Sequence, residues 1–147
     1  MNMTLKALMK WSAALLLSLP LAANAAVSRP ATPFTDAELD QMLAPIALYP
    51  DAVLSHVLIA ATVPDEVEVA AEWSRRHPDL TGQKAVDAVE GREWDPSVKA
   101  LVAFPDVLAR MDDDPEWTED LGDAFLDQEG DVMDRVQYLR DRADANG

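Results

Sequence analysis

The segment PDAVLSHVLIAAT, from Pro50 to Thr62, is apolar at almost every position after Asp51. Only Ser55, His56 and Thr62 interrupt the apolar run. A helix that is apolar on every side is normally buried at the centre of a domain, and this segment is shorter than the ~20 residues that cross a bilayer. Pro50 suits the first turn of a helix, and Asp51 suits its positive end. The segment therefore predicts a central, buried helix.

Helix signals continue on both sides of this segment. A proline or a capping residue precedes each apolar run, which is where helices begin, and the valines follow helical rather than alternating spacing. The predicted fold class is all-α, a compact bundle of short proline-started helices with one long C-terminal helix. A Thr35/Glu38 capping box predicts a helix from Asp36 to about Leu43. A second helix is expected from Pro64 to about Arg76, and Thr81 caps a short one that runs through Glu90. Three more are expected to begin at Asp95-Pro96, Phe104-Pro105 and Asp114-Pro115.

The helix that begins at Asp114-Pro115 is expected to be the long one. Its apolar residues, from Trp117 to Leu139, keep helical phase across Gly130. A glycine inside a helix costs only ~1 kcal/mol relative to alanine. One continuous helix to about Arg142 is therefore predicted.

Tyr49-Pro50-Asp51 and Phe104-Pro105-Asp106 repeat one pattern of aromatic residue, proline and aspartate. Proline begins a new helix and keeps the residue before it out of the helical region. The aromatic ring can then pack at the corner, while the aspartate meets the N–H groups of the new first turn. We interpret both stretches as helix corners. The alternative is that Tyr49 and Asp51 belong to a binding site.

The first residues have the pattern of a secretory signal peptide. Lys6 and Lys10 lead into an apolar run that is too short to span a bilayer, and the small residues Ala23-Asn24-Ala25 follow it. We predict a signal peptide over 1–25, cleaved after Ala25 or, as the near alternative, after Ala26. No stable transmembrane segment is expected after cleavage. The periplasm is the expected localisation, with an extracellular destination as the alternative.

The mature chain that this cleavage predicts is a single acidic domain. Its 122 residues (147 less 25) suit an extended leader over 26–34, one helical domain over 35–143 and a disordered end over 144–147. Loss of Lys6 and Lys10 changes the net charge from −15 to −17. Such a chain repels phosphate backbones and anionic lipids, so nucleic acid is not an expected partner. Because the chain has no Cys, disulfides, a lipid anchor on Cys and thiolate chemistry are excluded.

Two long motifs are similar to those of a family of bacterial exported proteins. They read APIALYPDAVLSHVLIAATVPDEVEVAAEW, from Ala44 to Trp73, and WDPSVKALVAFPDVLARM, from Trp94 to Met111. From about Leu39 to Leu139, the chain resembles the proteins catalogued as domain of unknown function 3300. The resemblance implies an export signal, a helical domain and no assigned activity, and it supplies no catalytic residue.

The chain also departs from that family's pattern. Val63 stands where an aromatic residue before Pro64 is usual, and His56 stands where Gln is common. Many members carry a long low-complexity tail after the domain, whereas this sequence reaches Gly147 without one. Binding by such a tail is therefore not carried over.

Residues typical of metal or phosphate chemistry are few. The two histidines, His56 and His77, lie 21 residues apart and outside any H-E-x-x-H motif, so a zinc site is not expected. We interpret His56 as a histidine at the edge of the core, with a ligand or general base as the alternative. We interpret His77 as a residue that interacts favourably with the negative, C-terminal end of a helix. The five glycines form no phosphate loop, and no cofactor is expected.

The acidic stretch from Asp112 to Asp123 comes close to the sequence pattern of a calcium-binding loop. Position 6 of the loop frame is Trp117 instead of Gly, position 4 is Pro115, and position 12 is Asp instead of Glu. We therefore interpret Asp114-Pro115 as a helix start and expect no metal. The residues in the ligand frame are Asp112, Asp114, Glu116, Thr118, Asp120 and Asp123.

Three adjacent pairs, Glu72-Trp73, Glu93-Trp94 and Glu116-Trp117, are the strongest sign of a binding chemistry. A tryptophan ring stacks on the apolar face of a sugar while a carboxylate accepts from its hydroxyls, and two carboxylates can flank a glycosidic bond. Peptidoglycan would be the polymer at hand in the envelope. The competing interpretation is that the tryptophan rings are buried in the core and the adjacent glutamates face the solvent.

These patterns favour a non-catalytic interaction or scaffold module that binds a protein partner in the bacterial cell envelope. Enzymatic activity is not expected, and no catalytic residue is proposed. The alternative is a cell-wall carbohydrate-binding or glycoside-hydrolysing domain that uses the Trp/Glu pairs. The candidate binding residues are Tyr49, Asp51, His56, Glu72, Trp73, Trp94 and Asp95.

Overall fold

Eight α-helices and no strand make up residues 33–147, the part of the chain that the computed structural model describes. This confirms the predicted all-α class. The predicted signal peptide and the leader up to residue 32 lie outside the described residues. The helices are α1 (Asp36–Leu43), α2 (Asp51–Ala60), α3 (Pro64–Arg76), α4 (Gly82–Val89), α5 (Pro96–Leu101), α6 (Pro105–Asp113), α7 (Pro115–Asp127) and α8 (Glu129–Asn146).

Most helices begin where the capping residues and prolines predicted. At α1, Thr35 and Glu38 form the capping box, in which the Thr35 N–H donates to Glu38 Oε2 at 2.8 Å and the Glu38 N–H donates to Thr35 Oγ1 at 3.4 Å. Proline occupies the first turn of α3, α5, α6 and α7. The exception is α2, where Pro50 is the N-cap residue and the helix begins one residue later, at Asp51.

Helix α2 is central, as its composition predicted, but it is not buried on every side. It packs against α3, α5 and α7 through residues that include Val53, Leu54, Val57 and Leu58. A stripe at helical spacing, Ala52, Ser55 and Ile59, stays exposed. Composition alone did not distinguish a fully buried helix from one with a narrow face in solvent.

A close helix contact joins α7 to the end of α2 at Gly122. An added Cβ at this position would overlap the Ala61 carbonyl oxygen, and it would lie 2.7 Å from the Ala61 carbonyl carbon and 3.1 Å from the Thr62 nitrogen. All three atoms belong to the backbone and cannot rotate away. Glycine therefore allows α7 to lie directly on α2.

The predicted single helix from Asp114-Pro115 to about Arg142 is wrong. It is interrupted at Gln128, whose φ of −137° and ψ of 40° are not helical. The Gln128 side chain instead holds the backbone of Phe34, accepting from its N–H at 2.7 Å and donating to its carbonyl at 3.1 Å. The break turns α8 so that it packs against both α1 and α7.

Helix α8 is nevertheless the long C-terminal helix that was predicted, with 18 residues. It continues to Asn146, past the predicted end near Arg142 and into the segment 144–147 for which disorder was predicted. Arg135 fastens it to α1 through two hydrogen bonds to Asp40, at 2.7 and 2.6 Å. The hydrogen bonds and the charge of Asp40 raise the pKa of Arg135. Among residues 33–147, no helix has the length and apolar character required to cross a membrane.

Candidate functional site

The predicted corner at Tyr49-Pro50-Asp51 is held by an arginine from α8. The Arg140 guanidinium donates to the Ala47 carbonyl at 2.7 Å, to the Tyr49 carbonyl at 2.8 Å and to Asp51 Oδ1 at 2.6 Å. The Tyr49 ring is half-buried against the core, while the Asp51 side chain is 86% exposed. Arg140 therefore satisfies two backbone carbonyls in the turn between α1 and α2.

Two further candidates, His56 and Asp95, meet at Ser97. His56 Nδ1 lies 3.3 Å from Ser97 Oγ, and the Asp95 carboxylate accepts from the Ser97 N–H at 2.7 Å. The Asp95 N–H in turn donates to Glu66 at 2.6 Å. Because Asp95 bonds the serine backbone and not the imidazole, these residues lack the hydrogen-bond order of a nucleophilic triad. The network joins α2, α3 and the start of α5.

Glu72 and Trp73 point to different environments. The Trp73 side chain is buried, and its ring stacks on His77 with the ring centres 4.5 Å apart. His77 Nδ1 lies 2.7 Å from the Trp73 carbonyl oxygen at the end of α3, while Glu72 pairs with Arg76 on the surface. Trp73 is therefore a core anchor, and its ring presents no open face.

Trp94 is half-buried at the edge of the core. The Arg92 guanidinium lies over its ring, 4.8 Å from the ring centre. One face of this indole is thus already occupied by a cation from the same chain, and the neighbouring Glu93 is exposed.

Trp117, the tryptophan of the third Glu-Trp pair, lines an open groove. Two adjoining concavities of about 490 and 380 Å³ share Gln41, Asp114 and Trp117, and we call this pair the Trp117 groove. Both volumes fall within the ~300–1,000 Å³ typical of ligand sites. The walls come from α1, α6 and α7, and Phe34, in the segment before α1, also lines one concavity.

The indole of Trp117 is fixed in place at this groove. Its Nε1–H donates to the Met42 carbonyl at 2.9 Å, and its backbone N–H donates to Asp114 Oδ1 at 3.1 Å. The next residue, Thr118, donates from its Oγ1 to the Met111 carbonyl at 2.7 Å. The ring is therefore half-buried with its own donor satisfied, and it offers a rigid aromatic surface to the groove.

The groove is strongly negative. Its charged lining residues are the carboxylates of Glu38, Asp106, Asp113, Asp114, Glu116 and Asp120 and the guanidinium of Arg110. Hydrogen bonds from the backbone and hydroxyl of Thr35 hold the pKa of Glu38 below its ordinary value.

Three residues of the calcium-loop frame take part in contacts of the helices. Asp112 Oδ2 accepts from Arg75 at 2.6 Å, Asp114 is the N-cap residue of α7, and Thr118 bonds the end of α6. Within residues 33–147, no group of three acidic or histidine side chains is arranged to hold a metal ion.

Sequence reasoning named the Glu116-Trp117 pair but missed the rest of the groove. Gln41 comes from α1, and Asp106 and Asp113 come from α6, so only the packing of three helices brings them beside Trp117. The signal in the sequence is the density of acidic residues on both sides of Trp117.

Comparison with known proteins identifies the family. The model for the family described as "Protein of unknown function (DUF3300)" matches residues 35–147. The chain belongs to this family. A DUF3300 relative, "Uncharacterized protein YacH" of Escherichia coli (strain K12), is 52% identical over 114 residues, which cover 78% of this chain and 18% of YacH. The chain thus spans about a fifth of the length of that relative. No solved structure gives a significant match to this DUF3300 chain.

Proposed function

We propose that this DUF3300 protein is an exported, non-catalytic interaction module of the bacterial cell envelope, which binds a protein partner in the Trp117 groove. The observation that supports the proposal is the groove itself, where a fixed aromatic ring lies between two concavities of ligand size. Aromatic residues in partly buried, well-packed positions are the usual anchors of protein interfaces. The pattern of the first 25 residues supports the export.

Two of the carboxylates that line the groove are held in roles other than that of a catalytic acid. A glycosidase needs one carboxylic acid with a raised pKa, whereas hydrogen bonds from Thr35 lower the pKa of Glu38. Asp114 is engaged as the cap of α7. These two acids therefore stabilise helix starts.

Site-specific photo-crosslinking in intact cells tests the proposal. A photo-reactive amino acid is placed at Gln41, which lines both concavities, and, as a matched control, at Gln137, an exposed glutamine on α8. We expect position 41 to give a discrete adduct with an envelope protein, and position 137 to give none. Equal adducts from both positions, or no adduct from position 41, would refute the proposal.

Carbohydrate binding is the second candidate, and one observation favours it. Glu116-Trp117 is the Glu-Trp pair that lines the groove, so a ring face and a carboxylate are available together. Isothermal titration of the mature protein with soluble peptidoglycan fragments tests this function. Binding that Glu116→Gln abolishes would favour it over a protein partner, and hydrolysis of the fragments would contradict the non-catalytic assignment.

A further inference from the structure

We infer that the Trp117 groove receives an extended polypeptide segment rich in lysine and arginine, with one cationic side chain placed on the Trp117 ring. This inference rests on the proposed function, because it names the chemistry of the partner for the same site.

The charge of the groove selects a cationic partner. Asp106, Asp113 and Glu116 are exposed. Among the described residues, Asp106 and Glu116 make no hydrogen bond or ion pair, and Asp113 adds to the negative charge near Arg75. All three acids lie with further carboxylates in a concave site where Arg110 is the cation. Like charges along a groove with low-dielectric walls focus the field and attract the opposite charge. A cationic segment relieves their repulsion and gains electrostatic complementarity.

The protein's own cations are largely committed elsewhere. Arg75 bonds Asp112, Arg135 bonds Asp40, and Arg140 bonds Asp51, each at 2.6 Å. These pairs fasten helices to one another. Within residues 33–147, they leave Arg110 as the cation that lines the Trp117 groove.

Trp117 offers the aromatic face that such a segment uses. Its N–H is already bonded to Met42, so the indole contributes its ring and not a donor. A guanidinium or ammonium group over an aromatic ring is attracted by the ring's negative face. The same fold places Arg92 4.8 Å from the ring centre of Trp94 and Arg135 3.9 Å from that of Tyr138.

The shape of the groove favours an extended chain over a compact ligand. The two concavities lie in series, and carboxylates line both of them. Gln41 is shared by both, and its amide can both donate to and accept from a peptide group. A wall polysaccharide whose peptide stems carry free carboxylates would be repelled by the groove, so a basic polypeptide fits better.

Binding of a defined basic peptide tests the inference. The probe is a fluorescein-labelled peptide of alternating lysine and alanine, titrated with the mature protein and followed by fluorescence anisotropy. The groove variant combines Asp106→Asn, Asp113→Asn and Glu116→Gln. The matched control combines Asp79→Asn, Glu90→Gln and Asp134→Asn, which removes the same charge from exposed residues that do not line the groove.

We expect the groove variant to weaken binding by about tenfold or more, and the control variant by less than about twofold, because only the first removes charges that face the ligand. Binding should weaken as the NaCl concentration rises, since the exposed charges become screened. Thermal melts verify that both variants remain folded. Trp117→Phe, which keeps a ring, should bind more tightly than Trp117→Leu.

Several results would overturn the inference. Equal weakening by the two triple variants would show diffuse attraction to an acidic surface. No binding of the peptide, or its displacement by peptidoglycan fragments, would show that the groove selects another chemistry. The crosslink from position 41 separates the two proposals: if it persists while the peptide fails to bind, the interaction function stands and the basic partner is wrong.

Discussion

Replacing Gly122 with alanine should destabilise this protein, although the same change in an exposed helix is normally favourable. Gly122 lies in the interior of α7 and is buried against the end of α2. The added methyl group would overlap the Ala61 carbonyl oxygen and approach its carbon to 2.7 Å. Because the opposing atoms are backbone, α2 and α7 must separate to admit it.

The magnitude follows from two opposing contributions. Extra volume in a packed core costs about 1–3 kcal/mol, and contact with rigid backbone places this site at the upper end. Alanine regains about 1 kcal/mol of helix propensity relative to glycine. The expected net loss is therefore about 2 kcal/mol out of the ~5–15 kcal/mol typical of a domain. For a domain of this size, that loss lowers the melting temperature by roughly 8 °C.

Gly130→Ala is the matched control for this substitution. Gly130 lies in the first turn of α8, and no atom lies within 4 Å of the position that its Cβ would take. This change should leave the melting temperature unchanged or raise it, with a gain of up to about 1 kcal/mol. Circular dichroism melts and urea titrations at neutral pH measure both variants. A Gly122→Ala protein as stable as the wild type would show that α7 does not lie directly on α2.

Four further predictions concern other parts of the molecule. Arg140→Ala should lower the free energy of unfolding by about 1–2 kcal/mol in urea titrations, since the Arg140 guanidinium satisfies two corner carbonyls. Asp51→Asn should lower it by only about 0.3–1 kcal/mol, because the Asp51 carboxylate is exposed. The pKa of Glu38 is lowered from 4.5 in the folded protein. The stabilising contribution of Glu38 is therefore present above pH 4.5 and is lost as the pH falls through the folded pKa. Below the folded pKa, the difference in stability between wild type and Glu38→Gln should vanish. Calcium at about 5 mM should shift the melting temperature no more than NaCl of equal ionic strength. N-terminal sequencing of the protein from the periplasmic fraction should begin at Ala26.

Each of these predictions has an outcome that contradicts it. A larger loss from Asp51→Asn than from Arg140→Ala would mean that the corner is held by the carboxylate. A Glu38→Gln difference that persists in acid would exclude the capping carboxylate as its cause. A calcium-specific shift that Asp112→Ala abolishes would restore the calcium loop, and an intact Met1 in the membrane fraction would indicate a signal anchor.

Helix starts were predictable because their determinants are local. The capping box of Thr35 and Glu38 is complete within four residues, and proline constrains its own first turn. The interruption at Gln128 was not predictable in this way. It depends on hydrogen bonds to Phe34, which lies 94 residues away in the sequence, and the apolar residues on its two sides keep helical phase across the break.

The candidate site shows the same division between local and distant determinants. The corner at Tyr49 and Asp51 followed from adjacent residues, but its clamp, Arg140, lies 89 residues beyond Asp51. The Glu116-Trp117 pair was visible in the sequence, yet Trp73 and Trp117 have equivalent sequence neighbours and different environments. Burial separates them, because α3 turns Trp73 into the core whereas α7 leaves Trp117 at the groove.

The distribution of charge links the stability of this fold to its proposed function. A chain with 27 acidic and 12 basic residues cannot pair most of its carboxylates. Apart from the Glu72–Arg76 pair within α3, the observed pairs use arginine at contacts between distant elements, where α8 meets α1 and the corner, and where α3 meets α6. Exposed ion pairs contribute little individually, but a guanidinium that also bonds backbone carbonyls, as Arg140 does, fixes the geometry of a turn. Asp106 and Glu116 of the Trp117 groove are exposed beside a rigid ring, and like charges gathered in this way lower the stability of the free protein through self-repulsion. A cationic partner would remove that repulsion on binding, so the protein should melt at a higher temperature in its complex.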